Sequence, residues 1–407
     1  METLEKVRVL DLSQIMAGPL TSMILGDLGA EVIKVEPPEG DAARGMGDTF
    51  LQGQSDYLLS LNRNKRSMVI DLKKEPGREI FCRLARQADV LLENFRPGTV
   101  EKLGVDYPTV SRLNPRIIYC SVSGFGHAGP YRDRPAMDPI IQAMGGLMGI
   151  TGDPRTGPAK VGSPIADFIA PLLATIGILG GLYLRQKTGE GQRVEISMLD
   201  GIIFSMIPRP AYFFVKNKSL PLMGNRHYQI APCNAYPTKD GQYVMVIVHT
   251  QKHWANFCEA LGHSDLPGDS RFQTKADRLK NCVELDALLN DIFQRKTQRE
   301  WVDSLADKGV MIGPVYRMNQ LFQDPQVVHD EMVAEIDHPL AGKIKMIRTP
   351  IRLSVSPLRI KRPPPLLGQH TEEILSELGY TKEEIKRFKK TGAVKGAEGM
   401  NGITPKG

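Results

Sequence analysis

A doubly wound α/β fold around a mostly parallel sheet is what this sequence predicts, with a smaller α/β unit set apart from it. Three observations point there. Strand-like and helix-like segments alternate along the first third of the chain. The composition, 41% hydrophobic and 24% charged over 407 residues, is that of an ordinary globular chain with room for two or three domains. The character changes after Val215, where residues 216–228 are basic, polar and glycine-containing, as an exposed linker would be.

The elements follow in order. Residues 7–12 read as a strand, 13–18 as a small-residue loop, and 19–28 as a helix with Pro19 in its favoured first turn. Strands are expected at 31–36, at 68–72 after a basic loop, at 89–92 and at 116–122, with a helix at 75–88. A long apolar helix is expected over 164–186, then a short strand at 194–197 and one apolar helical segment over 198–214. A strand at 241–248 and amphipathic helices between 253 and 308 make up the smaller unit. Residues 350–365 are extended and proline-rich, a helix pair follows at 371–378 and 381–391, and 392–407 read as frayed. The expected division is 1–200 for the large domain, 201–228 for the linker, 229–325 for the small domain, and 326–407 for a second linker and the rest of the large domain.

Several classes of function are excluded. The net charge of +6 is too small and dispersed for a nucleic-acid footprint. The five cysteines are odd in number, widely spaced and free of any CxxC, which fits a reduced, cytoplasmic protein. Acids precede any apolar run at the N-terminus, so no secretory signal is read there. The longest uncharged stretch, 168–184, falls short of the ~20 residues of a membrane span and contains Pro171, so it reads as a buried helix and no membrane partner is expected.

Asp167 is the most informative residue. It opens the most apolar helix, where the positive end of the helix dipole favours a carboxylate. It is either a nucleophile beside an apolar wall or a first-turn acid that only stabilises the helix. Behind it Ala170, Ala174, Gly177 and Gly181 form a small-residue line suited to close packing. The loop Gln14-Ile15-Met16-Ala17-Gly18-Pro19 joins the first strand to the first helix and offers backbone N–H groups, without the GxGxxG spacing. Ligands of open α/β sheets lie beyond the carboxyl ends of strands, which favours Lys73 and Arg96 over Arg63 or Lys65 for an anion. The Gly224-Asn225-Arg226-His227 turn either covers a site or is an ordinary turn. His227 and His370 have no ligand spacing, so no metal site is assigned.

Taken together, these segments resemble the class III CoA-transferases. The resemblance is carried by Val9-Leu10-Asp11-Leu12 with Ala17-Gly18-Pro19, by the stretch from Leu28 to Glu36, by Asn64-Lys65-Arg66-Ser67, and by Glu93-Asn94-Phe95-Arg96-Pro97-Gly98. The Asp167 helix, Gly224-Asn225-Arg226 and Leu367-Gly368-Gln369-His370-Thr371 complete it, in the family order over most of the chain.

The resemblance implies transfer of coenzyme A from an acyl-CoA donor to a free carboxylic acid, with the coenzyme A thioester as substrate and no tightly bound cofactor. It implies Asp167 as the nucleophile, and Gly224 and Asn225 in a mobile loop near it. It implies coenzyme A contacts from Met16 and Ala17, from Ile70, Asp71, Leu72 and Lys73, from Asn94, Phe95 and Arg96, from Lys102, and from Ala136, Met137 and Asp138. It implies a Rossmann-like large domain built from both chain ends, a smaller inserted domain, and an interlocked homodimer, with a heteromer of related chains as the alternative. Pro37 stands where some members have Arg. Arg226 and His227 favour a dicarboxylate donor such as succinyl-CoA. An α-methylacyl-CoA racemase is the rival in the superfamily, but Met137 stands where that enzyme needs a His base, and a thioether takes no proton. A coenzyme A-binding subunit with little activity of its own is the rival from another class.

Overall fold

Six parallel strands form the central sheet, in the order Gln192–Ser197, Ile118–Ser123, Val90–Glu93, Arg8–Asp11, Glu31–Glu36, Lys65–Ile70. These are the six strands expected from the alternating pattern, each within three residues of its expected ends. The computed structural model describes residues 2–397. Val9, Leu10, Met68, Val69, Leu91, Leu92 and Cys120 are all buried, as strands covered on both faces require.

One face packs on the Glu75–Gln87 helix and on the helix pair Thr371–Glu377 and Lys382–Lys390, through Phe81, Leu84, Ile374 and Phe388. The other face carries Ala17–Asp27 and Ile165–Thr188. The small-residue line of the long helix lets it approach the sheet. A methyl group on Gly177 would lie 2.6 Å from Val194 Cγ1, and one on Gly181 would lie 3.2 Å from Ile118 Cδ1.

Three expectations need correction. The tail is not frayed throughout: Val394–Lys395 adds an antiparallel seventh strand beside Lys65–Ile70, anchored by the buried Val394 and by Asp71 N–H donating to the Ala393 carbonyl. The rest of that expected frayed segment, 398–407, lies outside the described residues. The 198–214 segment is two helices, Met198–Ser205 and Arg209–Lys216, because Pro208 and Pro210 break the hydrogen-bond ladder. The long helix is only partly buried: Phe168, Leu172, Ile176, Tyr183 and Leu184 are exposed along one side. Its 24 residues make it, among the described residues, the one single helix long and apolar enough to cross a membrane by length and composition alone.

The chain divides into two units. Of the described residues, 2–145, 162–207 and 330–397 form one, which holds the large sheet. Gly146–Val161 and Pro208–His329 form the other. Residues 146–161 and 208–228 thus stand with the second unit, where the sequence reading had put them in the large domain and the linker. The reason is a pairing the sequence does not announce: Gly224 N–H donates to the Gly152 carbonyl at 2.7 Å. The second unit is built on an antiparallel sheet of Cys233–Pro237, Tyr243–Ile247 and Met311–Pro314. Its core stacks Tyr236, Phe257 and Phe293, with Trp254 and Trp301 beside them.

Candidate active site

The strand order reverses between Arg8–Asp11 and Val90–Glu93: from the first strand, the next two run outward on one side and the fourth lies on the other. Such a switch point opens a crevice between the loops that leave the two central strands. Here those loops are Leu12 to Met16 and Asn94 to Gly98. The Asn94 side chain sews them together: its Oδ1 accepts from Gln14 N–H at 2.8 Å, and its Nδ2 donates to the Gln14 carbonyl at 2.9 Å.

A buried ion network holds the first loop from below. Lys34 Nζ lies 2.6 Å from Asp41 Oδ2 and donates to the Ser13 carbonyl at 2.9 Å. Asp41 Oδ1 accepts from Ile15 N–H at 2.9 Å. Ile15 stands at φ +67°, in the left-handed region that a β-branched residue avoids at a cost of about 1–3 kcal/mol. The clamps on Ser13, Gln14 and Ile15 maintain that geometry. Lys65 Nζ reaches Asp11 at 3.1 Å, and both are fully buried. Burial works against the Asp11 charge, but Lys65 and Lys34 more than offset it and hold its carboxyl at about 2. Lys34 and Asp41 escaped the sequence reading. The available signal was a lysine flanked by apolar residues in a strand buried on both faces.

A cavity of about 150 Å³ lies beside this loop, lined by Leu12, Gln14, Val35, Glu36, Pro37, Pro38, Glu39, Ile70, Asp71, Leu72, Lys73, Phe95 and Leu103. Of the coenzyme A contacts that the resemblance implies, Ile70, Asp71, Leu72, Lys73 and Phe95 line it, beside Gln14 and Pro37. Asn94 joins its two walls through Gln14. Met16 precedes the buried Ala17 at the start of the first helix, and Arg96 and Lys102 are exposed.

Asp167 lies elsewhere in the same unit, in the first turn of Ile165–Thr188. Asp138 is its neighbour. The Asp138 carboxylate is buried, accepts from Ala166 N–H at 2.7 Å and from Gln142 Nε2 at 2.6 Å, and so caps the helix that carries Asp167. Met137, just before it, is 66% exposed, and Ala136 packs under Gly124. The dipole argument leads one to expect an Asp167 held readily ionised. Instead burial, with the Asp138 charge adding to it, raises its carboxyl to about 6. Above that pH it is a carboxylate of raised basicity on an apolar helix, which suits a nucleophile.

Gly224 and Asn225 belong to the second unit. Gly224 has φ +62°, and Asn225 is exposed. The turn is anchored rather than free. Arg226 Nε donates to Asp286 Oδ2 at 2.6 Å, and Asp286 also accepts from Asn234 at 3.0 Å and Tyr236 at 2.7 Å. Arg226, read from the sequence as a receiver for a substrate carboxylate, already has a carboxylate partner. His227 Nδ1 accepts from Gln229 N–H, and its ring lies against Tyr228. Among the described residues, no group of three or more His, Cys, Asp and Glu is placed to hold a metal ion.

A mostly parallel α/β sheet with a lined cleft at its switch point, and an acid of raised pKa at a half-buried helix end, defines a ligand-binding α/β protein of enzymatic character. Comparison with known proteins narrows this to one family. Residues 4–371 match the model of CoA-transferase family III. Succinyl-CoA:glutarate CoA-transferase from Homo sapiens is 37% identical over 96% of this chain and 90% of the relative. Succinyl-CoA–D-citramalate CoA-transferase from Chloroflexus aurantiacus is 36% identical over 94% of this chain and 96% of the relative. Among solved structures, a CAIB/BAIF family protein from Brucella suis superposes with a TM-score of 0.85 at 36% identity, covering 93% of this chain and all of that one. The chain belongs to CoA-transferase family III, and its enzyme class is that of the class III CoA-transferases.

Proposed function

We propose that this enzyme moves coenzyme A from a dicarboxylic acyl-CoA, succinyl-CoA first among them, to a free carboxylic acid, with Asp167 as the covalent nucleophile. The observation that carries the reading is Asp167 itself, a carboxylate raised to about 6 on a helix whose end is capped by Asp138. Its carboxylate oxygen attacks the thioester carbonyl and expels coenzyme A thiolate, leaving an acyl-aspartyl anhydride. The thiolate attacks the aspartyl carbonyl, forming an aspartyl-CoA thioester and releasing the donor acid. The acceptor carboxylate then attacks that thioester, and the freed thiolate takes the acceptor acyl group, which restores Asp167. Atoms balance without a net proton, oxidant or metal.

Coenzyme A is read as bound along the switch-point cleft, by Ile70 to Lys73, Asn94 to Arg96 and the Met16–Ala17 N–H groups, with Lys102 on a phosphate. Ala136, Met137 and Asp138 then follow toward Asp167, and Gly224 and Asn225 serve the oxyanion. The lined cavity and the Asn94–Gln14 clamp support the first part of that path. The two relatives described above are named for succinyl-CoA with glutarate and with D-citramalate, which supports a dicarboxylate donor. The assembly we propose is a homodimer of interlocked rings, in which a second copy covers the exposed apolar side of Ile165–Thr188. All five cysteines are free thiols, in keeping with a reducing, cytoplasmic setting.

The test is mass spectrometry of the protein incubated with succinyl-CoA and quenched with hydroxylamine or borohydride. A hydroxamate or alcohol at Asp167 is expected. An unmodified Asp167 across a panel of acyl-CoAs would overturn the nucleophile assignment.

A further inference from the structure

The loop that carries Asn94, Phe95 and Arg96 starts from a buried carboxyl. Glu93 is 1% exposed; its Oε2 accepts from Phe95 N–H at 2.9 Å, and its Oε1 has no hydrogen-bond partner. Nε2 of His127, buried and likewise without a partner, faces that oxygen at 4.0 Å. On the neighbouring strand, Ser121 lies in register with Glu93 with its hydroxyl against that carboxyl, and the hydroxyl of Ser123 is buried and unpartnered. Buried polar atoms are rarely left so, and a group of them at the end of adjacent strands calls for an explanation. His127 is itself held in place: its backbone N–H donates to the Glu195 carboxylate at 2.7 Å. A cavity of about 160 Å³ lined by Ser121, His127, Tyr119 and Arg193 opens on the Ser121 and His127 side of this group.

We propose that Glu93 and His127 share one titrating proton and act as positioning residues for the loop of residues 94–96, so that loss of this proton weakens the hold on the coenzyme A polyanion. The inference rests on the coenzyme A reading above. A separation of 4.0 Å is too long for a direct hydrogen bond and suits one bridging water. Burial raises the Glu93 carboxyl to about 7; Ser121, Phe95 N–H and Arg193 pull the other way, and Glu101 adds to the rise. Burial and Arg193 lower His127, with Arg132 in the same sense and Glu195 and Glu101 opposed. Tyr119 and Cys120, packed against the pair, are pushed far upward by burial and by Glu93, with Asp106 contributing at Tyr119, so both stay protonated. Below about pH 7 the Glu93 carboxyl therefore keeps its proton beside a neutral His127. As pH rises the proton leaves, and a bare carboxylate remains beneath a loop that receives phosphates.

The experiment is calorimetric titration of the full chain with free coenzyme A, for the parent protein, Glu93→Gln and His127→Gln. Glutamine at 93 keeps the acceptor for Phe95 N–H and cannot ionise. Between about pH 6 and pH 8 the parent is expected to lose about fivefold more affinity than Glu93→Gln. Titration of the ligand's own phosphate is common to both proteins and cancels in that comparison. His127→Gln leaves Glu93 without its proton partner and is expected to move the parent's transition along the pH axis. Parallel profiles for the parent and Glu93→Gln, with binding intact, would overturn the proposal and leave the coenzyme A reading standing. A parent chain that does not bind coenzyme A at any pH would overturn both.

Discussion

The turns at Ile15 and at Gly224 both use the left-handed region of backbone space, and they are held by different means. The turn at Ile15 lies on a floor of fully buried charges, with Lys34, Asp41 and Asn94 each fixing one of its residues. The turn at Gly224 lies on the backbone hydrogen bonds of Gly224 to Gly152 and of Arg226 to Met223, and on the Arg226–Asp286 pair, whose arginine is 35% exposed. Burial makes the first clamp strong and costly to disturb; water and a glycine make the second easier to shift. A site that must grip a nucleotide-sized ligand benefits from the first kind of turn, and a loop that must yield during turnover from the second.

The largest effect expected is on the chemistry itself. Asp167→Asn should lower transfer by on the order of a thousandfold or more while leaving thermal unfolding nearly unchanged. Substantial residual transfer by freshly purified variant would remove Asp167 from the mechanism.

Next comes the buried clamp. Asp41→Ala strands the Lys34 charge and frees Ile15 N–H, and should cost about 3–5 kcal/mol in denaturant unfolding. A loss below about 1 kcal/mol would mean the Ile15 turn is not held by charge.

The matching change in the second unit is Asp286→Ala. It leaves Tyr236, Asn234 and Arg226 without their shared acceptor, and should cost about 1–3 kcal/mol. If it costs more than Asp41→Ala, the contrast between the two turns is inverted.

Gly224→Val places a β-branched residue at φ +62°, with its Cβ 3.2 Å from Asp153 Oδ2. Turnover should fall several-fold and coenzyme A affinity much less; equal losses would argue against a role for this loop in turnover.

The smallest effect concerns pH. In the mechanism proposed above the ionised form of Asp167 is the active one, and its carboxyl is raised to about 6, so activity should be present above that value and lost as pH falls through it. Asp138→Asn removes the like charge yet keeps an acceptor for Ala166 N–H, so the acid limb of the rate profile should move to lower pH. A limb that stays in place would assign the rise at Asp167 to burial alone.

Much of the fold was legible. Apolar runs bounded by glycine, proline or charge marked the inner parallel strands, because those had to be buried on both faces, while Gln192–Ser197 at the sheet edge showed as an alternating run. The short strands of the second unit, Cys233–Pro237 and Met311–Pro314, were not marked. Each is held by partners across an antiparallel sheet rather than by a pattern of its own. The candidate site was legible where a motif is local, as in Asn94-Phe95-Arg96 or Asp167 at its helix start. It was illegible where chemistry depends on a distant partner: the resemblance offers Asp138 only as a coenzyme A contact, and its hold on Ala166 N–H, 28 residues away, is seen only in the structure. Arg226 read as a free cation for the same reason, since Asp286 lies 60 residues on.

By itself the sequence determined the α/β class, the places of the parallel strands, the family, and an acid at the head of the most apolar helix. Periodicity and short motifs encode these, and both act over a few residues. Only the tertiary structure decided which loops meet at the switch point, which charges are buried and paired, which side of the Ile165–Thr188 helix stays open, and that Val394–Lys395 closes the sheet edge. Those outcomes depend on contacts between residues tens to hundreds of positions apart, and on the desolvation that arises only once the layers have packed.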